Sequence, residues 1–285
     1  MLILAVEQSS DTGSVAILND DHILGEREWD GLVLRSCGLF ACLKDLLAAV
    51  ALNLKDISHY VIDVGPGSYS GLRSSCAAVR AFTLSGKQPV YALTSAETLA
   101  FEIMQEFSVN QVQVVGDARR QQLWTCLYKK SGNMPIAQST IQLVPENEFS
   151  PALGSVIVSP DWKRLQSKLM YGDFPPQADP PTEDKDAAGP AAHALPTGFF
   201  DQEKVGRGGL LRRGQALGYE GWIPAAPSNL RVIADGNTIL LGETRVPKAG
   251  CLGKLAYQKI QLNIPSEPLR PIYLHAAVRG VKRDS

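Results

Sequence analysis

Two spacing patterns that commonly mark metal sites and disulfide-bonded domains are missing from this sequence. The chain has 285 residues and five cysteines, yet no two cysteines are spaced as C-x-x-C, and none of the four histidines lies three or four positions from another. Zinc sites, disulfide frameworks and paired imidazoles on a helix need such spacings. We therefore expect mostly buried, unreactive thiols, and neither a metal nor another cofactor.

A large net charge and a long apolar run are also missing. With 28 basic and 29 acidic residues the net charge is -1, so any contact with RNA needs a local basic patch or a partner. The longest apolar stretch, GLFACLKDLLAAVAL, is interrupted by Lys44 and Asp45 and is too short to span a bilayer. The opening MLILAVEQ predicts a strand rather than a signal peptide. We expect a cytoplasmic protein without a membrane partner.

What the chain does contain is a pattern of strands and helices that occurs twice. The first hundred residues predict the order β-β-β-α-β-α-β-α, with the first three strands as an antiparallel meander. Three further strands follow from QVQVVG, then the strand GSVIVS and the helix DWKRLQSKLM. Glu7 and Asp117 each stand near the end of the first strand of a half. This order predicts an α/β protein with a duplicated ribonuclease-H-like (actin-like ASKHA) fold and a cleft between its halves.

The composition changes after residue 170, which suggests a division into domains. Residues 171–229 are rich in proline, alanine and charge, and predict an insertion or mobile linker. Its run GRGGLLRRGQ is compatible with RNA phosphates or with a solvated basic loop. Beyond it, NLRVIADGNTILLGE predicts a hairpin at the Asp-Gly pair, and KAGCLGKLAYQKI a short helix. We assign residues 1–108 to a first actin-like subdomain, and residues 109–170 with 230–280 to a second.

The stretch GPGSYSGLR is the most distinctive feature of the chain. A phosphate loop ends in Lys-[Ser/Thr], but here Leu72 and Arg73 follow Gly71. A dinucleotide-binding loop has a third glycine, but here Ser70 stands at that position. The amides at the start of the following helix can still hold an anion. Alternatively, the glycines serve tight turns and close packing. The residues alone leave both open.

Catalysis by this chain alone has little support in the sequence. Actin-like nucleotide hydrolases place an aspartate in each phosphate loop, and this chain has Glu7 and Asp117 there, but DARRQQ lacks the glycine that lets a phosphate approach. Ser9 and Ser10 have no identifiable base and orienting acid, so we expect them to cap a turn.

Four segments in order resemble one family, the TsaB (YeaZ) tRNA threonylcarbamoyladenosine biosynthesis proteins. GPGSYSGLR matches the family run G-P-G-S-[FY]-[ST]-G-[LV]-R, and ILAVEQSSDTGSVAI is similar to its I-L-A-[IL]-D-T-S opening followed by S-V-A. DARR and PIYLH are similar to its D-A-R-[RM] segment and P-x-Y-L-R tail. The resemblance covers roughly residues 1–170 and 230–280. The loop residues that carry it are Gly65, Pro66, Gly67, Ser68, Gly71 and Arg73.

One departure points toward the catalytic paralogue, TsaD. Glu7 stands where the family has aspartate, and resembles the E-T-S opening of TsaD. That family, however, carries an H-x-x-x-H metal pair after its glycine loop, and the corresponding stretch here, PVYALTSAETLAFE, has no histidine. The resemblance therefore favours the non-catalytic paralogue. The alternative is an actin-like-fold enzyme, either a nucleotide phosphotransferase or a TsaD-like metalloenzyme.

The resemblance implies a supporting, non-enzymatic role in a tRNA-modifying complex. Its members pair with TsaD and act with the ATPase TsaE to form N6-threonylcarbamoyladenosine beside the tRNA anticodon, and two N-terminal helices form both this interface and that of TsaB homodimers. These helices correspond to Arg35–Leu52 and Leu72–Ser85. The first has apolar residues beyond one stripe, including Phe40 and Ala51, which a partner could cover. The interface residues we predict are Leu39, Cys42, Leu43, Leu46, Leu72, Arg73, Cys76 and Val79.

Overall fold

A computed structural model describes residues 1–84, 86–171, 230–232 and 238–274. The first half is a five-stranded sheet in the order β3-β2-β1-β4-β5, with two helices as crossovers and a third helix after the last strand. The antiparallel meander is confirmed, because β1 pairs with β2 and β2 with β3 in antiparallel register. Strands β1, β4 and β5 run parallel. The bounds are β1 Leu2–Glu7, β2 Thr12–Asn19, β3 His22–Asp30, α1 Gly31–Ala49, β4 His59–Asp63, α2 Tyr69–Thr83, β5 Val90–Leu93 and α3 Ser95–Phe107.

Helices α1 and α3 begin at side-chain caps. The Asp30 carboxylate accepts from the amides of Leu32 (2.8 Å) and Val33 (3.1 Å), which starts α1 well before the first apolar position of the predicted helix. Thr94 accepts from the amide of Glu97 (3.0 Å), as its capping spacing predicts.

The second half is a seven-stranded sheet. Its order is β11-β12-β10-β6-β7-β8, and β9 also pairs with β7. The short strand β8 was not predicted, because its four residues contain a proline and follow a turn directly. Strands β11 and β12 are antiparallel, as in the predicted hairpin, whose Asp-Gly turn lies outside the described residues. The bounds are β6 Gln111–Arg119, β7 Gln122–Ser131, β8 Met134–Ala137, β9 Gln142–Pro145, β10 Val156–Ser159, α4 Trp162–Tyr171, β11 Leu230–Val232 and β12 Ile239–Thr244.

The last helix, α5 (Ala249–Gln261), returns to the first half. Leu252, Leu255 and Ala256 are fully buried in one cluster with Ile3 and Leu18 of the first sheet. Our division into domains placed this helix in the second half, and the division remains a proposal. The predicted insertion, apart from Tyr171, lies outside the described residues together with its basic run.

The cysteines are free thiols in different surroundings. Cys76 and Cys126 are buried, Cys42 and Cys251 are half-buried, and Cys37 on α1 is exposed, so the expectation of burial is wrong for Cys37. None of the described helices is long and apolar enough to cross a membrane.

Candidate functional site

The glycines of the loop between β4 and α2 let two loops pack closely. A Cβ on Gly67 would lie 2.1 Å from the Ser9 carbonyl oxygen, and one on Gly71 would lie 2.0 Å from that of Gln8. Gly65 has a φ of +100°, which side chains rarely adopt. These glycines therefore have the packing role that the sequence left as one alternative.

The remaining loop residues continue this role at the start of α2. Ser68 donates its amide to the Ser9 carbonyl (2.7 Å) and accepts from the amide of Gly71 (3.3 Å), which caps the helix. Pro66 is buried, and its carbonyl accepts from Ser95 Oγ (2.6 Å). Arg73 is exposed and donates to the Tyr69 hydroxyl (2.7 Å).

Beneath the loop lie two fully buried carboxyl groups. In the parallel register Val6 pairs with Ile62, so Glu7 and Asp63 end adjacent strands side by side. Glu7 Oε1 accepts from the amide and hydroxyl of Ser9, and Asp63 Oδ1 accepts from the amide of Gly65 (2.5 Å). The second oxygen of each carboxyl has no hydrogen-bond partner among the described residues.

Burial determines how these acids titrate. Burial raises the pKa of Glu7 well above its ordinary value, and neighbouring Asp63 raises it further. Burial also raises the pKa of Asp63, to about 7, against the lowering effect of its hydrogen bonds to Gly65, Ser9 and Ser95. The charged groups acting on Glu7 are both acids, Asp63 and Glu28. At least one proton therefore stays on this pair near neutral pH.

The chain brings its last described segment against the same loop. The Ile272 amide donates to the Val64 carbonyl (2.7 Å), and the Tyr273 ring lies 5.0 Å from that of Tyr69. Arg80 of α2 donates to the Leu269 carbonyl (3.1 Å). The PIYL part of the tail motif thus contacts the glycine-loop motif, while His275 lies outside the described residues.

Asp117 lies in a cleft of about 450 Å³ between the two halves. Its carboxylate pairs with Arg164 (3.3 Å) and Arg119 (3.2 Å). Arg164 also pairs with Asp161, and reaches Asp11 of the first half at 3.9 Å. The protein's own guanidinium groups therefore neutralise the carboxylate that a nucleotide hydrolase would use for a metal. Over the described ranges, no group of three or more His, Cys, Asp or Glu residues is placed to hold a metal ion.

Most of the predicted interface residues face this chain's own core, which corrects their assignment to a surface. Leu39, Leu46, Leu72 and Val79 are fully buried, and Leu43 and Cys76 are nearly so. They form the stripes by which α1 and α2 pack on the sheet. Of the predicted set, Cys42 is half-buried and Arg73 is exposed. An aspartate at position 43 or 46 would disrupt the core and could not test an interface.

The same helices carry other, exposed apolar side chains. Leu32 and Val33 in the first turn of α1 are 70% and 74% exposed, Phe40 is 53% exposed, and Leu84 after α2 is 80% exposed. The Phe40 ring meets that of Phe82 edge-on at 6.2 Å, so the two helices adjoin here. Phe40 was among the surplus residues in the sequence. Leu32 and Val33 were missed because the predicted helix began after them.

Comparisons with known proteins agree with this geometry. A family model described as TsaD: tRNA N6-adenosine threonylcarbamoyltransferase matches residues 38–152. The tRNA threonylcarbamoyladenosine biosynthesis protein TsaB of Buchnera aphidicola is 22% identical over 185 residues, which cover 60% of this chain and 88% of that protein. The TsaB of Bacillus subtilis is 31% identical over 129 residues, covering 45% of this chain and 56% of that protein. The structure of YeaZ from Pseudomonas aeruginosa superposes with a TM-score of 0.63 at 16% identity, covering 96% of this chain and 99% of that one.

The chain is thus similar to TsaB proteins of several bacteria in sequence, and to YeaZ in fold. The likeness to YeaZ extends over nearly the whole of both chains and confirms the predicted duplicated actin-like fold. The matches in sequence are shorter, since the chain spans only about half the length of the Bacillus subtilis and Escherichia coli TsaB proteins. The activity and partners of those whole proteins are therefore proposals for this chain.

Proposed function

We propose that this chain is a non-catalytic subunit of a tRNA threonylcarbamoyl transferase complex. In this role it binds and supports a TsaD-type catalytic subunit during formation of N6-threonylcarbamoyladenosine next to the tRNA anticodon. Similarity to TsaB proteins supports this pathway, because those relatives are named for the biosynthesis of this nucleoside. A TsaE-type ATPase and tRNA, reached through the complex, are the further partners.

The apolar face of α1 and α2 is the observation that carries the proposal. Val33 and Phe40 are seven residues apart, hence on one side of α1, and both are more than half exposed. Leu32 and Leu84 extend the face. Exposed apolar side chains grouped in this way are typical of a protein-binding surface. A second copy of the chain could cover the same face, so a homodimer and a TsaD-type subunit would compete for it.

Two features of the chain support a role without catalysis of its own. The segment after the glycine loop lacks the histidine pair that the sequence analysis associated with TsaD. The Asp117 carboxylate is paired with Arg119 and Arg164. Both features favour a supporting subunit over the alternative of an actin-like-fold enzyme.

The first prediction concerns this face. Val33→Asp and Phe40→Asp each place a charge on it, and we expect recovery of a TsaD-type subunit in co-purification to fall at least about tenfold. The same variants should slow modification of tRNA in a reconstituted assay, because the catalytic subunit loses its partner.

Leu153→Asp serves as the matched control, because Leu153 is 60% exposed in the second half, away from both helices. It should leave co-purification unchanged. Thermal unfolding of every variant separates loss of binding from loss of fold. Wild-type recovery with folded Val33→Asp and Phe40→Asp proteins would overturn the interface, and modification of tRNA by the isolated chain would overturn the non-catalytic role.

A further inference from the structure

A cavity of about 770 Å³ opens between the N-terminal ends of α1 and α2. The turn after β1 closes one wall and the first turn of α2 another. The residues that line it are Gln8, Ser10, Asp11, Gly13, Trp29, Gly31, Leu32, Ser68, Tyr69, Ser70, Gly71, Arg73 and Ser74. The cavity shares Leu32 with the proposed interface and several residues with the cleft, but neither makes use of the polar groups at the start of α2.

The start of α2 offers backbone donors to the cavity. The amides of Tyr69 and Ser70 lie in the first helical turn, where no intrahelical acceptor exists, and no acceptor is found for them elsewhere in the described part of the chain. The Ser68 side chain instead caps the amide of Gly71. The positive end of the helix dipole therefore faces the cavity with two free N–H groups.

One buried side chain points to a ligand. Gln8 is 6% exposed, and its Oε1 accepts from Ser75 Oγ (2.7 Å), which leaves its amide NH₂ as the end available to the cavity. A buried donor without an acceptor costs about 1–3 kcal/mol, so such groups normally have a partner. Trp29 also lines the cavity, but its indole nitrogen is enclosed by the protein and offers no donor to the open space.

The indole is held in place by small neighbours. A Cβ on Gly13 would lie 2.3 Å from the Trp29 ring, and one on Gly38 would lie 2.2 Å from it. Glycine at these two positions is what admits the ring.

The charges around the cavity favour an anion. Arg73 is exposed on its wall, held by the Tyr69 hydroxyl at 2.7 Å and lying over the Tyr69 ring at 5.3 Å. Asp11 is the one acid among the described lining residues, and its side chain is 63% exposed and directed within 3.9 Å of Arg164 in the neighbouring cleft. The donors thus converge on the cavity while the acid lies toward solvent.

We propose that this cavity binds the phosphate group of a small phosphorylated molecule. Backbone amides, a carboxamide and a guanidinium line the cavity, which suits the three terminal oxygens of a phosphate better than the two of a carboxylate. The cavity is also larger than a single oxyanion requires, so the remainder of the molecule has room beside Leu32 and Tyr69. The site does not depend on the proposed function, since no partner chain contributes to it.

Binding is tested by isothermal titration calorimetry and ³¹P NMR, with inorganic phosphate and ribose 5-phosphate as separate probes. The site predicts saturable binding with one phosphate per chain. Tighter binding of ribose 5-phosphate identifies a phosphorylated small molecule as the ligand, whereas equal affinities identify a site for free phosphate. Absence of saturable binding of either probe would overturn the proposal.

Substitutions locate the site. Arg73→Ala removes the cation and Gln8→Glu adds a negative charge, so each should raise Kd about tenfold or more. Asp11→Asn should lower Kd, because it removes the acid. Arg27→Ala is the matched control, an exposed arginine on β3 whose guanidinium contacts only the neighbouring Glu26 carbonyl. An unchanged Kd in folded Arg73→Ala and Gln8→Glu proteins would show that phosphate binds elsewhere.

Discussion

Glu7 and Asp63 end adjacent parallel strands, and each leaves one buried carboxyl oxygen without a partner. Their other oxygens hold the first residues of two loops, Ser9 in one and Gly65 in the other. Both loops line the cleft or the cavity beside α2. A carboxyl pair that retains a proton carries less buried charge than two carboxylates, and so can hold these loops without a counter-charge.

This arrangement predicts a pH dependence of stability at a single residue. Burial raises the pKa of Asp63 from near 4 to about 7, so the folded state binds more protons than the unfolded state between those values. The free energy of unfolding must then fall as pH rises through this window, by at most about 1.4 kcal/mol per pH unit for one proton. Asp63→Asn should remove this part of the slope, and its advantage over wild type should grow from pH 4 to pH 8.

Urea unfolding at closely spaced pH values measures the effect. The difference between wild type and variant isolates Asp63 from other buried acids such as Glu102, whose pKa burial also raises to about 7. Asp45→Asn, at an exposed position of α1, controls for loss of a carboxylate. If the free energies of unfolding of wild type and Asp63→Asn changed with pH in parallel across this window, the raised pKa of Asp63 would be contradicted.

At the scale of elements, one ion pair joins two helices that are far apart in sequence. Lys259 of α5 donates to the Glu97 carboxylate at the start of α3 (2.6 Å), and the two side chains are only 11% and 10% exposed. Burial raises the pKa of Glu97, and Lys259 opposes that rise. Glu97 thus takes part in the cap only through its backbone amide, which donates to Thr94 Oγ1. Its side chain instead faces α5.

Removing one charge of this ion pair should lower the free energy of unfolding more than removing both charges. Lys259→Met leaves a buried carboxylate alone, which we expect to lower the free energy of unfolding by about 3 kcal/mol at neutral pH. The double variant Glu97→Gln with Lys259→Met should recover most of that loss, because no buried charge remains. Equilibrium urea unfolding of wild type, the single variant and the double variant measures these free energies. A double variant no more stable than Lys259→Met would show that the unpaired carboxylate is not the cause of the loss.

At the scale of the whole molecule, α5 completes the core of the first half. The amide of Ala249 donates to Ser14 Oγ (2.9 Å), and that of Gly250 to Glu26 Oε1 (2.8 Å), so the helix begins against β2 and β3. Gly253 packs on Leu18, where a Cβ would lie 2.4 Å from the side chain. The first sheet therefore has an apolar face of which a late segment of the chain covers a large part.

A fragment of residues 1–108 should for this reason fail to fold cooperatively. It would expose the face of Ile3, Ala5 and Leu18, which is buried against α5 in the whole chain. We expect no sigmoidal thermal transition from the fragment alone, and a return of cooperativity when residues 245–274 are joined to it through a flexible linker. Cooperative unfolding of the unlinked fragment would show instead that the first half is independent of α5.

Periodic apolar patterns were enough to predict most of the fold. The meander, the crossover helices and the Thr94 cap depend on neighbours within a few positions, and these are what a sequence displays. Strand β8 was missed because four residues interrupted by a proline carry almost no periodic signal. The packing of α5 on the first sheet was not predicted. Its apolar stripe indicates that the helix packs against a sheet, but does not indicate which of the two sheets.

For the glycine loop and the helices α1 and α2 as well, local features could be predicted from the sequence and long-range contacts could not. GPGSYSGLR carries the resemblance to TsaB proteins in local residues alone, whereas its glycines are explained by backbone atoms of Gln8 and Ser9 that lie about sixty positions away. Leu39, Leu43 and Leu72 were correctly recognised as apolar helix positions, but a stripe for the core and a stripe for a partner have the same composition. Only the packing of α1 on β2 and β3, and of α2 on β4, decided that these leucines face inward and that Val33 and Phe40 face outward.

The amino-acid sequence by itself determined the α/β class, the duplicated order of elements and the TsaB-family motifs, because each depends on residues close together along the chain. The tertiary structure alone decided which carboxyls meet beneath the loop, which arginines neutralise Asp117, and which donors surround the cavity beside Trp29. Those groups come from separate strands and helices. Their distances follow from how the sheet registers and packs, which no local pattern encodes.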